Sequence, residues 1–103
     1  MSGYALHPEA FTDLDDIRQH IAADSPDAAD RVITEIFDGV RALVAFPQQG
    51  YRRPSLSSRP LRFKLVRGYA IAYAPEKKPL WVVAVFHGRR SPRVMAAILR
   101  GRE

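Results

Sequence analysis

At 103 residues, 47% hydrophobic and 26% charged, the chain is long enough for one modest core and too apolar to be disordered. It has no cysteine, and its three histidines stand far apart in sequence, which excludes disulfides, thiolate zinc sites and thiol nucleophiles; no metal or cofactor is expected. The net charge of +5 hides a division: residues 1–50 carry three Lys/Arg and nine Asp/Glu, whereas residues 51–103 carry thirteen and two.

That division puts an acidic and a basic surface on one molecule if the halves fold into different layers, and a basic surface attracts nucleic acid or an acidic protein partner. No apolar run approaches the ~18 residues of a membrane span. The start, "MSGYALHPEAF", lacks the basic and apolar regions of a secretory signal, so a cytoplasmic protein is expected. The length fits a single domain over residues 1–103.

Residues 2–6, "SGYAL", suit a short strand. Pro8 then fits the first position of a helix, where its missing N–H costs nothing. Phe11, Leu14, Ile17 and Ile21 recur at helical spacing and predict a helix over about 10–22. Asp13, Asp15 and Asp16 lie towards its positive end and read as complements to the helix dipole. Ser25 is a good N-cap, Pro26 a good first residue, and the stripe from Ala29 to Val44 predicts a second helix over 26–44. The short break between the two makes an antiparallel hairpin.

Residues 47–60, "PQQGYRRPSLSSRP", read as a loop in which Arg52, Arg53 and Arg59 are solvated or make transient contacts. The period then changes to two. "LRFKLVR", "YAIAYA" and "LWVVAVFH" predict strands over 61–67, 69–74 and 80–87, with a tight turn at Arg67-Gly68. The last is apolar on both faces and so should be covered on both sides. "SPRVMAAILRGRE" fits a short helix capped by Ser91, whose stripe of Val94, Met95, Ile98 and Leu99 must bury against something. The fold class is α+β: a strand, a helical hairpin, then an antiparallel β-sheet and a C-terminal helix. If Leu61, Phe63 and Leu65 face the hairpin, Arg62 and Lys64 lie on the far side of the sheet beside Ala70, Ala72 and Ala74. Small and basic residues there would form a groove for a polymer or peptide.

Function is to be sought where the last strand ends, at "FHGRRSPRV". A histidine such as His87 suits acid–base work, but a lone one more often caps a strand end. Arg89, Arg90 and Arg93 are like charges at close spacing, stable together when they bind an anion. Their forks pair with carboxylates or phosphates, and they make poor bases. They read as a binding patch.

In order along the chain, "YALHPEAFTDLDDIRQHIA", "PDAADRVITEIFDGVRAL" with "FPQQGYRRP", "LRFKLVRGYAIAYAP" and "VVAVFHGRR" resemble the RelE/ParE superfamily of toxins from bacterial type II toxin–antitoxin pairs. The resemblance spans nearly the whole chain. It implies a toxin neutralised by a cognate, ParD-like antitoxin, in a toxin–antitoxin hetero-oligomer. RelE-like members cut messenger RNA on the ribosome, and the residues matching that chemistry would be Arg62, Lys64, His87 and Arg90. ParE-like members poison DNA gyrase without a catalytic centre, and Arg62, Lys64, Arg89, Arg90 and Arg93 would then bind the target or the antitoxin. No tyrosine follows Arg90, so the C-terminal tyrosine of the typical nuclease is missing. The long hairpin with "DLDDI" and "AADRVI" is closer to the ParE side.

Overall fold

The structure, a computed structural model, describes residues 3–102. Its elements run β1 (Tyr4–Leu6), α1 (Pro8–Ala22), α2 (Pro26–Ala45), β2 (Tyr51–Arg52), β3 (Arg62–Val66), β4 (Tyr69–Ala74), β5 (Leu80–His87) and α3 (Pro92–Arg100). Every helix and strand expected from periodicity is present, with ends within two residues for those whose bounds were set above. Ser2, where the first strand was expected to begin, lies outside the described residues.

Local chemistry starts each helix. The Ser25 hydroxyl accepts the Ala28 N–H at 3.2 Å, and the Ser91 hydroxyl accepts that of Val94 at 3.2 Å. Each caps an amide that has no partner within its helix, and a proline follows each serine at the first helical position. His7 does the same for α1, its Nδ1 accepting the Glu9 N–H at 3.0 Å. The β3–β4 hairpin turns on Arg67 and Gly68, with φ of 53° and 79°. Two positive φ values make the tight turn whose twist matches the flanking strands.

The sheet has five strands in the order β1-β5-β4-β3-β2. It is mixed, which corrects the expected antiparallel sheet. Strands β2 to β5 pair antiparallel, but β1 pairs parallel with β5, Tyr4 opposite Leu80. β1 and β5 are joined through the whole intervening chain, which frees them from hairpin geometry. β2 was expected as loop; two residues are too short to carry a period.

Register decides which side chains meet which helices. Arg62 lies opposite Tyr73 and Lys64 opposite Ile71. Tyr73 and Ile71 are packed under α1 and α2 with Leu14, Ile36, Val40 and Leu43. Arg62 and Lys64 therefore sit on the hairpin side, the reverse of the expected face. Phe63, Ala70 and Ala72 face the other way, and instead of an open groove they are buried under Met95 and Leu99 of α3 and Leu56 of the loop. The error is one of parity: a strand seen alone shows two faces, and only its partners say which is which.

β5 holds a bulge. Ala72 opposes Ala84 while Tyr73 opposes Val82, so Val83 is the additional residue. Alternation is reset there: Val83, Ala84 and Phe86 join the α3 layer while Val82 and Val85 join the hairpin layer. Both faces of β5 are buried, as its sequence required. Phe11, expected in the α1 stripe, is 59% exposed; Ala10 takes the buried place instead.

Beyond Val82 the outer edge of β5 has no strand beside it, because β1 ends at Leu6 opposite Val82. Two side chains close the gap. Asp13 Oδ2 accepts the Val85 N–H at 3.0 Å, and Arg102 donates to the Val83 carbonyl at 3.3 Å. Arg102 and Asp13 grip each other with two parallel bonds, one of them Nη2 to Oδ1 at 2.8 Å. The Asp13 bond and charge raise the Arg102 pKa above its ordinary value, outweighing burial, so the guanidinium is charged at every relevant pH. Asp13 was expected to complement a helix dipole; it is instead half of an edge clamp.

Arg102→Ala is expected to cost about 3 kcal/mol, since it strands a largely buried carboxylate and the Val83 carbonyl. Urea unfolding at unchanged m-value measures it. A loss below ~1 kcal/mol, the range of a surface pair, would refute the clamp.

Candidate functional site

The turn after β5 and the first turn of α3 place Arg89, Arg90 and Arg93 together on one exposed end of the molecule. None of the ion pairs found among the described residues involves them; those pairs are Arg18–Asp30, Arg41–Asp38, Arg67–Glu35 and Arg102–Asp13. Among the described residues these forks are thus in no ion pair, although Arg90 shares a cavity with Asp16.

His87 stands at the root of this turn. Its Nδ1 accepts the Arg89 N–H at 3.0 Å, and its ring packs edge-on against Tyr69 with centroids 5.3 Å apart. One ring nitrogen is thus committed to holding the turn that carries the arginines. His87 and Arg90 also line a cavity of about 360 Å³ with His20 and Asp16 of α1 and Tyr69 of β4. Sequence read Asp16 as a complement to the helix dipole and related neither it, His20 nor Tyr69 to His87. They lie far from His87 along the chain, and only the packing of α1 on the edge of β5 gathers them. Among the described residues no group of three His, Cys, Asp or Glu could hold a metal ion.

Arg62 and Lys64 lie elsewhere. Arg62 donates to the Gly50 carbonyl at 2.7 Å, and Lys64 Nζ donates to Gln49 Oε1 at 2.6 Å. Both fix the segment after α2 to β3. Lys64 is two strands across and one same-face row along from His87, about 12 Å by backbone spacing, and Arg62 is about 16 Å away. Between them α2 crosses the sheet so closely that a Cβ on Gly39 would stand 2.8 Å from Val66 and 3.5 Å from Ile71. The structure brings His87 and Arg90 together, and holds Arg62 and Lys64 apart from both.

A family model for the ParE toxin of the type II toxin–antitoxin system, parDE, matches residues 4–92. The chain belongs to the ParE toxin family. It is a toxin of a type II toxin–antitoxin system. No curated protein matches it. In this ParE-family chain the match ends at the start of α3, so it takes in the sheet, the hairpin and the His87–Arg90 turn. Among the described residues no helix is long and apolar enough to cross a membrane.

The other end of the ParE sheet is organised by Tyr73. Its hydroxyl accepts the Gly50 N–H at 2.9 Å and donates to the Pro47 carbonyl at 2.8 Å, anchoring the exit from α2. Gly50 is required there, because a Cβ would come within 2.5 Å of that oxygen. Burial raises the Tyr73 pKa above its ordinary 10.0, against the opposing pull of the Gly50 amide and Arg62. A raised folded pKa means that stability is full below pH ~10 and falls as pH rises towards the folded value, since only the unfolded tyrosine ionises in that window. Tyr73→Phe is expected to cost about 1–2 kcal/mol at pH 7 by orphaning the Gly50 amide. It should also flatten the decline above pH 10. Denaturant titrations at pH 7, 9 and 10.5 test both; parallel declines in the two proteins would rule out Tyr73 as the cause.

Proposed function

We propose that this toxin acts by binding and not by chemistry: it inhibits DNA gyrase, and a ParD-like antitoxin neutralises it. The observation that carries this is the separation of the four residues a ribosome-dependent nuclease of the superfamily would use. Arg62 and Lys64 are spent on Gly50 and Gln49 beneath one side of α2, while His87 and Arg90 lie on the other. In-line attack by a ribose hydroxyl needs a proton acceptor and a phosphate clamp around one reacting atom. Arg62 and Lys64 hydrogen-bond the segment after α2, and neither lines the cavity that holds His87 and Arg90. Arg89, Arg90 and Arg93 suit recognition of acidic side chains or backbone phosphate, and the exposed Val94 offers apolar surface on the same helix as Arg93. The cytoplasm, where gyrase and ribosomes work, is the compartment proposed.

One observation favours the alternative, messenger cleavage on the ribosome. His20, His87, Asp16 and Arg90 around one cavity are an acid–base set that differs from the one expected by resemblance. Expression of the toxin alone separates the two. Loss of supercoiling activity with DNA breaks supports gyrase inhibition; cleavage of messenger at ribosomal A-site codons overturns it.

Within the gyrase reading, Arg90→Ala is expected to weaken toxicity or antitoxin affinity by about tenfold, a charge-assisted bond being worth about 1.5–3 kcal/mol. The parent should be the more salt-sensitive of the two. His87→Ala is expected to lower stability by ~1 kcal/mol through the lost Arg89 bond and to leave toxicity near the parent level. Abolished toxicity with intact fold and antitoxin binding would make His87 catalytic and the binding mechanism wrong.

A further inference from the structure

Of the arginines expected to be solvated or to make transient contacts after α2, Arg53 and Arg59 are half-buried. Arg59 donates through Nη2 to the Leu99 carbonyl at 2.6 Å and through Nη1 to the Arg102 carbonyl at 3.2 Å. It thereby caps the end of α3, and its backbone N–H is held by the Ser57 hydroxyl at 3.1 Å. Arg53 is half-buried, and the hydrogen bond found for its guanidinium is to the Met95 thioether at 3.8 Å, a weak acceptor. Arg52, at the end of β2, is exposed.

These three arginines, with Ser57 and Ser58, surround a cavity of about 90 Å³. Its floor is Leu61 and Phe63, both buried. No described Asp or Glu lines it. Arg53, Arg59 and the two serines line this small volume beside apolar side chains, while Arg52, opposite Arg62 in the register, is exposed at its rim. Every charged group there is a donor. Ser57, which accepts from Arg59, still has its own O–H to give.

The geometry points to an oxyanion site: the cavity binds a phosphoryl group, either free or carried by a nucleic-acid backbone. Its volume admits several water-sized groups, enough for one tetrahedral anion and too little for a base or sugar. A phosphoryl group has three or more oxygens to accept from three forks and two hydroxyls. A planar carboxylate has two and would leave donors unmatched. Arg59 is the fixed donor, because α3 already positions it; Arg53 closes from the side of Met95, and Arg52 lies at the mouth. The site is on the α3 face of the sheet, and its role is independent of which target the toxin poisons.

Thermal unfolding of the purified toxin in 10 mM inorganic phosphate is compared with chloride at equal ionic strength. Phosphate is expected to raise the midpoint by about 5 °C. Arg53→Gln should abolish the rise, and Arg31→Gln on exposed α2 should keep it. Should Arg53→Gln loosen α3, Arg52→Gln provides the second variant: its midpoint without phosphate should match the parent, and its phosphate affinity should fall severalfold. A 12-base-pair duplex titrated over a range of salt identifies the source. If backbone phosphate occupies the site, Arg53→Gln lowers the salt slope by about one. An unchanged slope with the phosphate response lost identifies a free phosphate. A phosphate effect no larger than that of chloride, or one that survives both arginine substitutions, overturns the proposal.

Discussion

The open edge of β5 is the constraint around which the rest of the molecule is arranged. β1 covers Leu80 to Val82 and stops, leaving backbone groups of Val83 and Val85 pointing into a protein interior that must satisfy them. A carboxylate from α1 and a guanidinium from beyond α3 do so, and they neutralise each other in the process. The pair therefore fastens the hairpin layer, β5 and the C-terminal segment at one point, across 89 residues of sequence. A purely apolar contact could not replace it, because two peptide groups would remain unpaired.

The clamp also bears on function. The turn with Arg89 and Arg90 leaves β5 two residues after Phe86, and α3 begins beyond it. Its position is held from below by the bulge and from within by the His87–Arg89 bond. Recognition of an anion by several forks depends on such fixing, since each mobile arginine would lose entropy on binding. Within the fold, Asp13, Asp30, Glu35 and Asp38 of the hairpin form ion pairs, and its other carboxylates leave that layer acidic. The sheet-and-α3 half keeps an excess of positive charge.

Much of the fold was legible. The serine–proline pairs at 25–26 and 91–92 mark helix starts through a mechanism that acts within four residues. Helical and strand periods marked the remaining elements, and the two-sided apolarity of β5 announced its central place. The ordered resemblance across those elements agreed with the family match. The site was less legible. Arg89, Arg90 and Arg93 were found because they are adjacent in sequence. His20, Asp16 and Tyr69 were missed because nothing local relates them to His87. The packing of Arg53 and Arg59 against α3 was not legible, because polar loop composition looks the same whether the loop is solvated or packed under a helix.

The sequence by itself determined the kinds of element, their order, their caps and the charge division between the two halves, because each of these follows from interactions over a few residues. Tertiary structure alone decided which face of β3 meets the hairpin, that β1 joins in parallel, and that Asp13 meets Arg102. Strand parity has two solutions that local sequence leaves equal. The choice falls to whichever buries Phe63 and Ala72 beneath α3 while leaving Arg62 and Lys64 at the margin of the hairpin with oxygen partners. That selection compares the burial of whole layers, a quantity no single segment contains.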